Sequence, residues 1–181
     1  MGTISLNRGG FLKGANETFL KATDNGSVDL YYDNAKKFET AAAGVKTAYG
    51  KTSTTDGDAA GDIVYFGGTT SMEVGAIYYL TSSGTWALAD ADAESTAKGM
   101  LAVALGASSD TNGMLVRGFV TLNHDPGTIG DTLFLSTTAG LASSTAPSGN
   151  GDIVRVIGYC LDSTNGQIYF NPDGTFVEVS A

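Results

Sequence analysis

The feature that most constrains this chain is an internal echo. Val74-Gly75-Ala76-Ile77-Tyr78-Tyr79-Leu80-Thr81-Ser82-Ser83-Gly84 reappears as Ile129-Gly130-Asp131-Thr132-Leu133-Phe134-Leu135-Ser136-Thr137-Thr138, with Ala139 added before Gly140. The echo continues from Leu101-Ala102-Val103-Ala104-Leu105-Gly106 to Ile157-Gly158-Tyr159-Cys160-Leu161-Asp162. Repetition of a unit at a fixed spacing constrains architecture more than any single residue does. Two copies of a strand, hairpin and strand predict a pseudo-twofold core. The apolar residues support this, falling in short clusters: Ile63 to Phe66, Ala76 to Leu80, Met100 to Leu105, Met114 to Leu122, Thr132 to Leu135, Ile153 to Cys160, Gln167 to Phe170 and Phe176 to Val179. Such clusters with turns between them predict a small sandwich or barrel. Abundant Gly (25) and scarce Pro (3) suit many short strands joined by tight turns. The expected fold is all-β, with an extended β-rich N-terminal arm ahead of the repeat domain.

The arm is residues 1–50. Asp24-Asn25-Gly26 marks a hairpin turn before the alternating run Ser27-Val28-Asp29-Leu30-Tyr31-Tyr32. Its large apolar residues, Phe11, Leu12, Phe19, Leu20, Leu30, Tyr31, Tyr32 and Phe38, are too few to bury one another within about fifty residues, so they need a partner surface. Phe11, Leu12, Phe19, Leu30, Tyr31, Tyr32 and Phe38 are therefore the candidate interface residues, with further copies of the chain as one candidate partner. Residues 51–61 are small, polar and aperiodic and read as a linker. Residues 62–181 form the expected C-terminal β-domain. Within it, Ala89 to Lys98 lacks an apolar face and reads as a loop carrying one short turn. The segments from Trp86 to Lys98 and from Leu141 to Gly151 hold matching places in the repeat, so both are expected at one end of the domain, where partners are met.

The chain carries a formal charge of −9, which repels phosphate backbones and anionic membrane surfaces. Neither nucleic acid nor membrane is an expected partner. The longest apolar run, Met100 to Leu105, is far short of the about 20 residues that span a bilayer, and the N-terminus lacks the basic start and apolar stretch of a secretory signal. A soluble protein is expected.

Tests for chemistry find little. The single cysteine, Cys160, rules out an intrachain disulfide and all-cysteine metal sites, and it lies in an apolar run where a buried thiol is the plain reading. His124 is the only histidine, in the turn-like Leu122-Asn123-His124-Asp125-Pro126-Gly127, and no Gly-x-Ser-x-Gly elbow offers it a serine. Asp90, Asp92 and Glu94 could offer oxygens to calcium but lack the Gly-bearing loop of an EF-hand, and a solvated acidic loop is the plainer reading. No nucleotide-binding glycine loop is present. No catalytic residue, metal or cofactor is expected. Trp86 either caps the core beside Tyr78 and Tyr79 or anchors a ligand or interface. With Asp90, Asp92 and Glu94 it makes a candidate outer binding surface.

Two stretches resemble known proteins. The segment from Asn25 through Leu30-Tyr31-Tyr32-Asp33-Asn34 and Lys36-Lys37-Phe38-Glu39-Thr40 resembles short segments of fibre-like virion proteins of marine phages and cyanophages. From Gly61 onward, Gly99 to Gly106, Val116-Arg117-Gly118-Phe119-Val120, Gly130 to Gly140 and Asp152 to Tyr159 are similar to the small β-domains of phage capsid decoration, or cement, proteins and to C-terminal domains of some phage fibres. The resemblance implies a non-enzymatic virion protein, trimeric, made in the host cytoplasm and placed on the exterior of a tailed-phage particle. Phage capsid or tail proteins are then its partners. The alternative it implies is a tail-fibre or receptor-binding module that recognises a host surface glycan or protein.

Overall fold

The computed structural model describes residues 9–42, 44–47, 49–50 and 52–180, and the chain divides into two compact units at Tyr49/Gly50. Each is all-β in its own way.

In the first unit, β1 (Gly9–Lys13), β2 (Thr18–Thr23), β3 (Val28–Tyr32), β4 (Ala35–Ala41) and β5 (Gly44–Thr47) pair antiparallel in chain order as one sheet. The β-rich N-terminal stretch thus pairs with itself. Asn25 adopts a positive φ of 54° beside Gly26, as the turn between β2 and β3 requires. At the next turn Asp33 and Asn34 both have positive φ (52° and 56°), the two-residue hairpin geometry that Asn and Asp tolerate best. Asn34 also reaches back: its Oδ1 accepts the Thr18 N–H (3.0 Å) and its Nδ2 donates to the Asn16 carbonyl (3.1 Å).

The second unit contains β6 (Ala59–Val64), β7 (Ile77–Leu80), β8 (Trp86–Leu88), the one-turn α1 (Glu94–Ala97), β9 (Leu101–Ala104), the one-turn α2 (Ser109–Asn112) and β10 (Met114–Thr121). There follow β11 (Thr132–Leu135), β12 (Ala142–Ser143), β13 (Ile153–Val154), β14 (Val156–Cys160), β15 (Gln167–Phe170) and β16 (Val177–Glu178). Its main sheet runs β12-β11-β14-β15-β10-β9-β7-β8 and curls into a half-barrel. That order reads the same from either end once repeat partners are matched: β8 with β12, β7 with β11, β9 with β14 and β10 with β15. The echo is therefore structural, and the central β10/β15 pair is antiparallel, as a twofold relation demands.

One edge of β10 takes β6 along its length. The other takes β9 at Met114 and Leu115 and β15 from Gly118 to Thr121. The two halves of the sheet consequently face each other across a common core of Ile77, Leu101, Val103, Leu115, Val120, Leu133, Leu135, Ile157, Cys160, Ile168 and Phe170. Phe170, fully buried, lies in register between Gly118 and Gly158. A Cβ on Gly158 would overlap the Tyr169 carbonyl oxygen. A second cluster gathers Met72, Ala76, Tyr78, Trp86, Ala102, Ala104 and Met114.

Two expectations need correction. The stretch read as linker is built into the second unit from residue 52 onward: Gln167 Nε2 donates to the Thr52 and Ser53 carbonyls, and the Thr121 hydroxyl donates to Ser53 (2.6 Å). Its last residues, Ala59 to Gly61, begin β6. Small polar residues served here as backbone-pairing segments, a role composition does not reveal. Lys51 lies outside the described residues. Second, the run from Ile153 to Cys160 is two strands, β13 pairing with β16 and β14 with β11 and β15, divided at the buried Arg155. The two repeat hairpins turn at opposite ends of the sheet. The Ile77 N–H donates to the Gly140 carbonyl (2.8 Å), which sets the β11–β12 turn beside the start of β7, away from the β7–β8 turn. Antiparallel repeat partners must open in opposite directions.

Candidate functional site

In the first unit, alternation along each strand and register across strands sort the residues onto two faces. Leu12 lies opposite Leu20, Leu20 opposite Leu30, and Leu30 opposite Phe38, giving one apolar row across four strands. Ala22 and Val28 pair beside it, and Val45 continues the same face on β5. Leu12, Val28, Leu30 and Val45 remain 49%, 39%, 44% and 62% exposed. Tyr32, two residues on from Leu30, is 76% exposed.

The other face is a charge ladder. Lys21, Asp29, Glu39 and Lys46 lie opposite one another on successive strands. A bulge between Leu30 and Tyr31 turns Lys36 to this side as well, where it pairs with Glu39 and lies 3.7 Å from Asp29. Lys46 Nζ reaches Glu39 Oε1 at 2.9 Å. Hydrogen bonds from Lys36 and then Lys46 hold the Glu39 carboxyl down at about 2. The Tyr31 hydroxyl donates to Asp29 Oδ2 (3.3 Å), and Asp29 is nearly fully buried among these neighbours.

Of the candidate interface residues, the structure brings Leu12, Leu30, Tyr32 and Phe38 to one face and puts Phe19 and Tyr31 on the other. The Phe11 side chain lies outside the described residues; its backbone is opposite Lys21. Ala22, Val28 and Val45 complete the apolar face with Leu20. Their signal in the sequence was only a loose alternation, because which alternate residues share a face depends on register.

The candidate outer surface around Trp86 comes apart. Trp86 is 4% exposed; its Nε1–H donates to the Phe66 carbonyl (2.8 Å) and its ring packs against Phe66 at 5.4 Å. Gly67, at φ 109°, lets the loop close over the indole where a Cβ would overlap it. The tryptophan is thus a core residue and no exposed anchor. Asp90 Oδ1 accepts the Asp92 N–H (3.2 Å) and the Thr96 hydroxyl (2.8 Å), stapling the turn into α1. Glu94 forms an exposed i,i+4 pair with Lys98 (3.1 Å), and Asp92 is exposed. Between these acids Ala89 and Ala91 are fully buried, with Ala89 N–H donating to Ile77 and Ala91 N–H to Ser136. The alternation of Ala and acid was the missed signal: over Ala89-Asp90-Ala91-Asp92 period two places Ala inward and acid outward, and it ends at the exposed Ala93 before α1.

His124 bridges two loops. Its Nε2 accepts the Ala142 N–H (2.9 Å), so the proton sits on Nδ1, which donates to Asn123 Oδ1 (2.9 Å). Burial lowers its pKa. Cys160 is buried, its thiol directed at the Gly127 and Asp162 carbonyls, and burial raises its pKa. The structure thus gives these two side chains separate backbone partners. A shallow cleft of about 410 Å³ is lined by Tyr79, Thr81, Ser82, Ser95 and Lys98. Comparison with family models, with curated proteins and with solved structures finds no match to this chain.

Proposed function

We propose that this chain is a non-enzymatic structural protein of the exterior of a tailed-phage particle, of the capsid decoration type, assembling as a homotrimer. The observation that carries the reading is the contrast within the first unit. One sheet face pairs Lys36 and Lys46 with Glu39 and Asp29, while the other presents Leu12, Leu20, Leu30 and Phe38 with nothing among the described residues of the sheet to cover them. An attachment or assembly element has this character, because burial of its apolar face waits for another surface. The second unit encloses its own two cores, drawn wholly from residues 59 onward, and in this reading faces outward and reinforces the shell. A host-glycan role lacks the aromatic anchor first assigned to it, since Trp86 is enclosed.

The test is antibody labelling of intact particles purified from the phage lysate, together with a chain cut to residues 50–181. Label on intact particles, and a folded truncation that fails to join them, are the expected results. Protein found only in the soluble fraction, or normal incorporation of the truncation, overturns the reading.

A further inference from the structure

The repeat relates more than strands. Leu80 lies opposite Trp86 and Leu135 opposite Ala142, so Trp86 at the start of β8 and Ala142 at the start of β12 are partners in the two halves. Thr69 precedes Val74 by the same interval as His124 precedes Ile129, where the two copies of the echo begin, so Thr69 and His124 are partners as well. Each accepts the amide of its own half's outer strand: the Trp86 N–H donates to Thr69 Oγ1 (2.9 Å) and the Ala142 N–H to His124 Nε2 (2.9 Å). The Thr69 hydroxyl gives its own proton to the Gly67 carbonyl (3.3 Å) and stays an acceptor for Trp86. One amide is thus clamped by a group that does not titrate, and its counterpart by an imidazole, which gains its charge between about pH 8 and about pH 5.

Acid separates the two clamps. Burial lowers the pKa of His124, and an N–H aimed at Nε2 leaves no place for a second proton there. Protonation removes the acceptor and sets two donors against each other. The released ring has somewhere to go, because a cleft of about 210 Å³ beside it is lined by Thr54, Asp56, Asp125, Thr164 and Asn165. The charged groups acting on the ring are Asp125 on its own loop, Glu73 ahead of β7 and Asp56 ahead of β6. β12 brings Ala142, Ser143 and Ser144, and the turn before β15 brings Thr164 and Asn165, none of them charged. All three charges are negative and favour an imidazolium that has left the amide.

We propose that His124 is an acid-released latch: the neutral ring holds the Ala142 amide, and the protonated ring turns toward Asp56 and Asp125 and frees β12, while β8 stays clamped by Thr69. β12 suits release. It is two residues long, pairs with β11 at Phe134 and Leu135, and is further tied to the His124 loop by the Ser144 N–H on the Pro126 carbonyl (2.9 Å). Its departure uncovers the edge of β11 at Phe134 and Leu135, leaving backbone groups open to pairing by another strand. The latch lies wholly in the second unit and is independent of the virion reading.

The experiment is an NMR titration of the full chain from about pH 8 to about pH 5. It follows the ring signal of the single histidine and the nuclear Overhauser contacts Leu135–Ala142 and Leu80–Trp86. The ring should titrate below 6.5, the Leu135–Ala142 contact should be lost with the same midpoint, and the Leu80–Trp86 contact should persist. In His124→Gln, whose side-chain carbonyl accepts the amide without titrating, the Leu135–Ala142 contact should survive the whole range. A ring that titrates while both contacts persist, loss of both contacts together, or the wild-type loss repeated in His124→Gln overturns the latch. The contrast between the two contacts is read in the wild type, so a glutamine that fits poorly leaves the decision with that contrast.

Discussion

The two units use β-structure to opposite ends. In the second, the sheet curls until its halves face each other, and the side chains turned inward, from Ile77 to Phe170, are 0–2% exposed. In the first, five strands of similar length stay in one layer, and Leu12 and Leu30 remain nearly half exposed. Propensity does not separate them, since both are rich in β-branched and aromatic residues. The difference is the repeat: a duplicated half supplies the opposing surface within the same chain, and a sheet without a duplicate has to find that surface elsewhere.

The contrast can be broken most sharply at Phe170. Its ring is fully buried and its register neighbours Gly118 and Gly158 carry no side chain, so Phe170→Ala leaves a cavity that neither can fill. The second unit should lose about 3–5 kcal/mol, read as an earlier urea midpoint. If the loss is no larger than for a truncation at exposed Val45, the enclosed-core account fails.

A smaller effect is expected at Arg155, which is buried, faces the charge of Asp173 and donates to two backbone carbonyls. Its Nε donates to the Asp173 carbonyl (2.8 Å) and its Nη1 to Ala97 (2.6 Å), tying the C-terminal segment and the end of α1 to the β13/β14 break. Arg155→Ala leaves two carbonyls without these donors and should cost about 2 kcal/mol. Amide exchange near Ala97 and Asp173 should speed up first; unchanged protection there would remove the clamp.

His124 sharpens the comparison through pH. Its folded pKa is depressed by burial, so its contribution is complete above the ordinary value of 6.5 and is lost as pH falls through the folded value. Protonation at Nε2 would set N–H against the Ala142 N–H. The groups acting on it are Asp125, Glu73 and Asp56, each of which opposes the depression. The urea midpoint of the second unit should decline below pH 6.5, and His124→Gln should flatten that decline. A variant with the wild-type slope would assign the pH response to other groups.

The smallest effect belongs to the first unit's ladder. Glu39 is held at about 2, so its pairing persists from neutral pH to below 4.5 and weakens only as pH approaches 2. Exchange of the β4 amides should rise over that acid range, and Glu39→Gln should abolish the rise. Protection lost already near pH 5 would mean that the ladder is held by something other than Lys36 and Lys46.

Much of the fold was legible before any coordinates. The echo between residues 74–106 and 129–162 pointed to a pseudo-twofold core, to which the structure added the strand order, and Asn25-Gly26 marked its turn. More was available: Thr111-Asn112-Gly113 before β10 recurs as Thr164-Asn165-Gly166 before β15, both ending in a positive-φ glycine, and would have extended the echo to the central pair. The candidate sites were less legible. Trp86 was placed both in the core and on the surface, and the acids beside it hid two buried alanines.

Local chemistry is what the sequence determined by itself: where strands and turns fall, that a half is duplicated, and that the first fifty residues hold more apolar surface than they can cover. Tertiary structure decided which side chains meet. Register places Leu12, Leu20, Leu30 and Phe38 in one row and Lys21, Asp29, Glu39 and Lys46 in the other, and a slip of one residue would exchange the faces of any strand. Enclosure of Trp86 likewise depends on Phe66 and Met72 arriving from other segments. Those pairings are set by long-range free energy, which no window of neighbouring residues contains.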